Sequence, residues 1–184
     1  MPAAEQPSVL YVIGCGSPPA AELPDFVTYA KEQGWEVCVI ATPEGTKFLD
    51  ADRLAELTGH PVRSQYKRPE EPDALPPPDA FVVAPATFNT INKLAQGISD
   101  TLALGLLNEG IGRRAPAVAA PWLNAPLRSH PIVQRSLATL SEWGVRVILN
   151  PQPAAGAAVF PWDKVRASLR ELRETCIESA GDPH

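Results

Sequence analysis

The chain of 184 residues carries 16 basic and 21 acidic side chains, a net charge of -5, and 45% hydrophobic residues. That length fits one domain of ordinary size, about 100–200 residues, and the acidic balance without a basic run speaks against nucleic acid as a partner. No apolar stretch approaches the roughly 18 residues of a membrane span, and residues 1–8 place no positive segment ahead of an apolar one. The reading is a single cytoplasmic domain over 1–184 that makes no membrane contact.

After an N-terminal tail, 1–8, an apolar run at 9–13 predicts a first strand, and Gly14-Cys15-Gly16-Ser17-Pro18-Pro19 turns it into an amphipathic helix over 20–33 that Gly34 closes. A second strand over 35–41 completes a βαβ unit. Thr42 to Thr46 leave that strand, and 48–57 have helical spacing before Thr58-Gly59-His60-Pro61 stop it. Residues 67–78, KRPEEPDALPPP, hold too many prolines for a helix interior or a central strand, so they form a surface connection, either a loose tether or a lid. A strand over 80–84 runs into Pro85-Ala86-Thr87-Phe88-Asn89-Thr90, where Thr or Asn is a good helix cap. Two short helices fill 89–109, broken at Gly97, with Asp100 a cap for the second. A short strand at 117–120, a polar loop at 121–131, a helix beginning near Ser129 and ending at Gly144, a strand at 145–149 and a charged amphipathic helix at 163–179 complete the chain. This alternation predicts an α/β fold, a doubly wound and mainly parallel six-stranded sheet of Rossmann-like form.

In such a sheet ligands bind outside the carboxyl ends of the strands, here the loops 14–19, 42–46, 85–90 and 121–131, each rich in Gly, Ser, Thr or Asn. Gly14 and Gly16 permit close backbone approach, Ser17, Thr42 and Thr46 offer hydroxyls, and helix N-termini favour a phosphate. The glycines lack the third member of the dinucleotide fingerprint, and no GKT or GKS loop is present. Cys15, Cys38 and Cys176 are too far apart for a disulfide framework or a metal site. Cys38 reads as core packing. At Cys15, glycine spacing is the main message and a reactive thiol the lesser one.

Ala84-Pro85-Ala86-Thr87-Phe88-Asn89-Thr90 resembles the PASANT motif of the homo-oligomeric flavin-containing cysteine decarboxylases. Pro121-Trp122-Leu123-Asn124-Ala125-Pro126-Leu127-Arg128 resembles that family's PxMNxxMW motif, and residues 93–102, KLAQGISDTL, its KxAxGxxDxL continuation. The resemblance spans about 9–150. It implies a Rossmann-like subunit binding FMN between subunits of a homotrimer or of a dodecamer of trimers. Gly14, Ser17 and Thr42 would hold the flavin phosphate, with Gly16 and Ala86 close by. Thr87 would lie against the flavin, Asn89 would face the ring or the substrate, and Asn124 would bind the carboxylate or amide end of a small-molecule or peptide-terminal substrate.

The chain also departs from that pattern. The family's catalytic His, about 14 residues ahead of the motif's Pro, is replaced by a stretch reading Glu70-Glu71-Pro72-Asp73. His60 and His130 are the candidates to substitute, against readings as a solvated loop residue and a helix cap. The second motif has Leu123 for Met and Leu127-Arg128 for Met-Trp. Residues 151–162 read as a substrate lid without the redox Cys of the pantothenate-pathway members, in which Phe160 and Trp162 would be apolar contacts, Trp162 equally being helix-packing surface. The first functional reading is an FMN flavoprotein with a divergent decarboxylase or redox activity. The alternatives are a non-catalytic flavin-binding or partner subunit, and a flavin prenyltransferase-like enzyme that would use Arg128 and Arg135 for a prenyl phosphate.

Overall fold

The computed structural model describes residues 7–72, 75–149 and 158–180. Val9–Gly14 (β1) has all six residues buried, as a strand covered on both faces requires. It lies between β2 (Glu36–Ala41) and β3 (Ala80–Ala86); β3 pairs with β4 (Ala117–Pro121), and β4 with β5 (Val145–Val147). All pairings are parallel, in the order β2-β1-β3-β4-β5.

Strand side chains alternate between the two faces. Leu10, Val12, Val39, Val82 and Val118 share one core with Phe26 of α1 (Leu23–Glu32), Leu54 of α2 (Ala51–Thr58) and Leu169 of α7 (Trp162–Ala180). Tyr11, Ile13, Cys38, Ile40 and Phe81 share the other. It is covered by Ile91 of α3 (Phe88–Leu94), Leu104 and Leu107 of α4 (Leu102–Gly112), and Leu140 of α6 (Pro131–Glu142). A one-turn helix, α5 (Ala125–Arg128), precedes α6.

The expected six strands are five among the described residues. The chain after α2 returns to the outer edge of β2, where Arg63 makes a single parallel bridge to Ile40. Its N-H donates to the Val39 carbonyl at 3.3 Å and its carbonyl accepts from the Ala41 N-H at 2.8 Å. Pro61 before it has no N-H to add to the ladder, and the polar residues that follow offer no apolar face to bury, so the pairing stops.

Several element boundaries also move. The helix expected at 48–57 starts at Ala51, because the Asp50 carboxylate accepts from the Arg53 N-H at 3.0 Å and sets the cap there. Thr101, not Asp100, caps α4, its hydroxyl accepting from the Leu104 N-H at 3.2 Å. Asp100 instead pairs with Lys93 at 2.6 Å. His130 caps α6, rather than the Ser129 near which the helix is expected to begin. The 67–78 segment is a surface connection in its described part, tied down where Tyr11 donates its hydroxyl proton to the Pro76 carbonyl at 2.8 Å. Residues 151–157 of the expected lid lie outside the described residues. Its end does not: Phe160 and Trp162 are both buried, with Trp162 stacked on Phe26 at 5.3 Å between ring centroids.

Candidate functional site

The strand order reverses direction between β1 and β3, and a crevice opens at such a switch point beyond the carboxyl ends of the strands. A cavity of about 630 Å³ lies there. Its walls come from the loops after all four of the first strands: Gly16 and Ser17 after β1, Thr42 to Glu44 after β2, Thr87 to Thr90 after β3, and Trp122 to Asn124 after β4. Lys93, Thr101, Leu104 and Leu127 complete it.

The first two loops are locked together. The Thr42 N-H donates to the Gly14 carbonyl at 2.9 Å, and the Gly45 N-H donates to the Thr42 hydroxyl oxygen at 3.0 Å. A Cβ on Gly16 would sit 2.7 Å from the Glu44 Cβ, and one on Gly45 would run into the Gly14 carbonyl oxygen. Accepting from Gly45 leaves the Thr42 hydroxyl proton free to donate. Ser17 is 7% exposed and its hydroxyl oxygen has no hydrogen-bond partner. Buried hydroxyls are nearly always paired, so an orphaned one in a cavity wall marks a place where a ligand atom belongs.

The other two loops contribute side chains. The Thr87 and Thr90 hydroxyls lie 3.1 Å apart, and the Cys15 thiol donates to Thr90 Oγ1 at 3.4 Å from beneath the cavity floor. Thr87 stands at the N-cap of α3 without making a side-chain cap bond, so its hydroxyl serves this cluster instead. Burial pushes the Cys15 thiol above its ordinary range, partly offset by its hydrogen-bonding contacts with Thr90 and Thr87. Asn124 Oδ1 accepts from the Leu127 N-H at 3.0 Å to cap α5, leaving its two amide protons for a ligand. The Phe88 ring meets the His130 ring edge-on at 5.6 Å, and Trp122 leans on Phe160 at 5.7 Å.

Six of the residues singled out in the sequence thus meet at one cavity: Gly16, Ser17, Thr42, Thr87, Asn89 and Asn124. Gly14 and Ala86 do not line it. Gly14 lies one step behind, its carbonyl holding the second loop, and Ala86, the last residue of β3, is fully buried in the core. His60 is at the wrong end of the sheet. Its Nε2 is 2.9 Å from Glu36 Oε1, and Glu36 opens β2 opposite Val9, the start of β1. His130 approaches the site only through Phe88, and its Nδ1 is occupied in accepting from the Ile132 N-H at 3.2 Å. Neither of these histidines lines the cavity within one chain.

Lys93, Thr101 and Trp122 were within reach of the sequence but not singled out. Lys93 and Thr101 belong to the KxAxGxxDxL-like segment, and Trp122 follows the strand-ending Pro121. A helix-capping position facing a strand end is the signal that would have found Thr101. Among the described residues no group of three or more His, Cys, Asp or Glu could hold a metal ion, and no helix is long and apolar enough to cross a membrane. An open groove of about 940 Å³ lies at the opposite end of the sheet, beside Arg114, Trp143 and the Arg146–Glu171 ion pair.

Comparison with known proteins agrees with this geometry. A family model described as Flavoprotein matches residues 3–176. The coenzyme A biosynthesis bifunctional protein CoaBC of Bacillus subtilis (strain 168) is 32% identical over 119 residues, 61% of this chain and 29% of that protein, so the match spans less than a third of its length. The structure of the FMN-dependent cysteine decarboxylase SpaF superposes with a TM-score of 0.74 at 23% identity, covering 91% of this chain and 98% of the other. The structure of the cypemycin decarboxylase CypD does so with a TM-score of 0.70 at 27% identity, over 91% and 94%.

Proposed function

Because this chain belongs to the flavoprotein family, we propose that its cavity is an FMN site serving a divergent decarboxylase or redox reaction on a small-molecule or peptide-terminal substrate. The observation that carries the proposal is the buried, unpartnered Ser17 hydroxyl in a loop held against Thr42 by glycine packing. A phosphate fits that donor set. Ser17 and Thr42 each offer an O-H, and neutral donors in a shielded wall bind an oxyanion without a neighbouring cation.

Bound FMN supplies a two-electron acceptor, and the chain's own residues do the rest. Thr87, held by Thr90, would present its hydroxyl beside the ring system. Asn89 lies in the first turn of α3 and Asn124 at the N-cap of α5, and the amide protons of Asn124 would fix a carboxylate or carbonyl. The names of the FMN-dependent cysteine decarboxylase SpaF and of the cypemycin decarboxylase CypD support a carboxylate-bearing substrate. Assembly as a homotrimer or a dodecamer of trimers, and a cytoplasmic address, belong to the same proposal.

The test is the visible spectrum of the purified chain, followed by anaerobic addition of C-terminal cysteine peptides. Flavin absorbance that bleaches with such a peptide supports the enzyme. A chain that stays colourless after FMN reconstitution contradicts the proposal.

A second reading is favoured by one observation: neither His60 nor His130 lines the cavity within the chain. A non-catalytic flavin-binding subunit needs no proton carrier there. It predicts bound flavin whose spectrum no cysteine-terminated ligand alters.

A further inference from the structure

The end of the cavity formed by the loops after β3 and β4 has no ionisable wall of its own. Phe88, Trp122, Leu123 and Leu127 give it an apolar wall, Thr87, Asn89 and Thr90 border that wall on the β3 side, and the Asn124 amide is the polar group on the β4 side. Lys93, the cation nearest in sequence among the lining residues, is tied to Asp100 at 2.6 Å. With Asn124 Oδ1 engaged in its cap, what the β4 side offers is a pair of amide donors beside Trp122, Leu123 and Leu127, with the Phe88 ring on the β3 side.

Both rings are half-buried yet braced from behind. Phe88 meets His130 edge-on, with ring planes at 82°. Trp122 rests on Phe160, which lies 4.5 Å from Trp162, itself stacked on Phe26 in the core. Rings fixed in this way lose little freedom when a ligand covers them, which is the condition for apolar contact to appear as affinity. The PASANT motif that residues 85–90 resemble has alanine where Phe88 stands. A large ring at this position is therefore not something flavin binding asks for, and its use falls to the other occupant of the site.

We infer that the substrate is a carboxylic acid or carbonyl compound whose body next to that group is apolar and ring-sized, seated between Phe88 and Trp122 with its acceptor oxygen on the Asn124 amide. This rests on the FMN reading only in taking the remainder of the cavity to be filled by the cofactor. The apolar wall recognises the body and the amide donors recognise the oxygen. A cationic body would lose its water there without an anionic partner among the residues of these two loops.

The experiment is titration calorimetry of the FMN-loaded chain with 3-phenylpropionate, propionate and phenethylamine. We expect 3-phenylpropionate to bind at least ten-fold more tightly than either of the others. Trp122→Ala and Phe88→Ala, each verified as folded by circular dichroism, should each reduce the preference for phenyl at least three-fold and leave propionate unchanged. Near-equal binding of the three probes, or a phenyl preference that survives both substitutions, would overturn the inference. So would a preference seen in the unloaded chain and abolished by FMN, because the rings would then hold the cofactor. Failure of the FMN reading shows separately, as no uptake of FMN, and the same titrations on the unloaded chain then decide the inference by the same criteria.

Discussion

The two ends of the cavity are made in different ways. The end between Ser17 and Thr42 is a backbone construction: two loops pressed so closely that Gly16 and Gly45 have no room for a Cβ, with hydroxyls added at the rim. The end between Phe88 and Trp122 is a side-chain construction, mounted on helix caps and braced by other rings. A site made from backbone tolerates little change and so keeps its ligand class, while one made from side chains is free to change its substrate. The chain departs from the motifs it resembles mainly at the second end, where Phe88, Leu123 and Leu127 stand.

The largest effect on the backbone-built end is expected from Gly45→Ala. Its Cβ would meet the Gly14 carbonyl, which is backbone and cannot rotate away. We expect a loss of about 3 kcal/mol in denaturant unfolding, the upper part of the range for overpacking, and no FMN binding by the folded fraction. A variant as stable as the parent would mean that the loops are not locked.

Ser17→Ala separates structure from ligand. Removing an unpaired buried hydroxyl leaves the unloaded chain as stable or more stable, since such a group costs about 1–3 kcal/mol in desolvation. FMN affinity should fall about ten-fold, equivalent to ~1.4 kcal/mol. A loss of stability without loss of affinity would assign Ser17 to the fold instead.

At the other end, Asn124→Ala removes the α5 cap and should cost about 1 kcal/mol, measurable as a lowered denaturation midpoint. FMN should still bind while carboxylate ligands no longer perturb its spectrum. Loss of the flavin itself would move Asn124 to the cofactor.

The smallest effects at neutral pH belong to the thiols. Burial pushes Cys38 up to about 12 and Cys176 up to about 11 from an ordinary 9.0, with the Glu36 and Asp79 carboxylates adding to the rise. Raised folded-state values mean that the folded chain holds its thiol protons more tightly than the unfolded one. Their contribution is fully present below pH 9 and is lost as pH rises from 9 towards 12. Unfolding measured across that window should show falling stability, less steeply in Cys38→Ala, and a thiol reagent at neutral pH should react slowly with the folded chain. A flat profile would contradict the burial argument.

Much of the backbone-built end was legible in the sequence, because apolar runs ending in Gly, Ser or Thr mark strand ends at which a parallel sheet opens. Ser17 and Thr42 follow directly from that rule. The locking of the two loops was not legible: Gly45 matters through the Gly14 carbonyl, a contact between residues 14 and 45 that no local pattern records. The position of His60 was hidden for a similar reason. Distance along the chain made His60 the nearest substitute, whereas the direction of β2 carries it to the opposite end of the sheet. The five strands follow from their apolar runs, while the outer edge at Arg63 depends on what little its neighbours can bury. Trp122 and Phe160 meet across 38 residues and a segment of low-information Ala and Gly, beyond the reach of periodicity.

The most direct test compares FMN with riboflavin, which has the same ring and no phosphate, in equilibrium titrations of the purified chain. We expect saturable binding of one FMN per chain, at least ten-fold tighter than riboflavin, with the difference shrinking in Ser17→Ala. Equal affinity for the two, or no saturable binding of FMN, would contradict it.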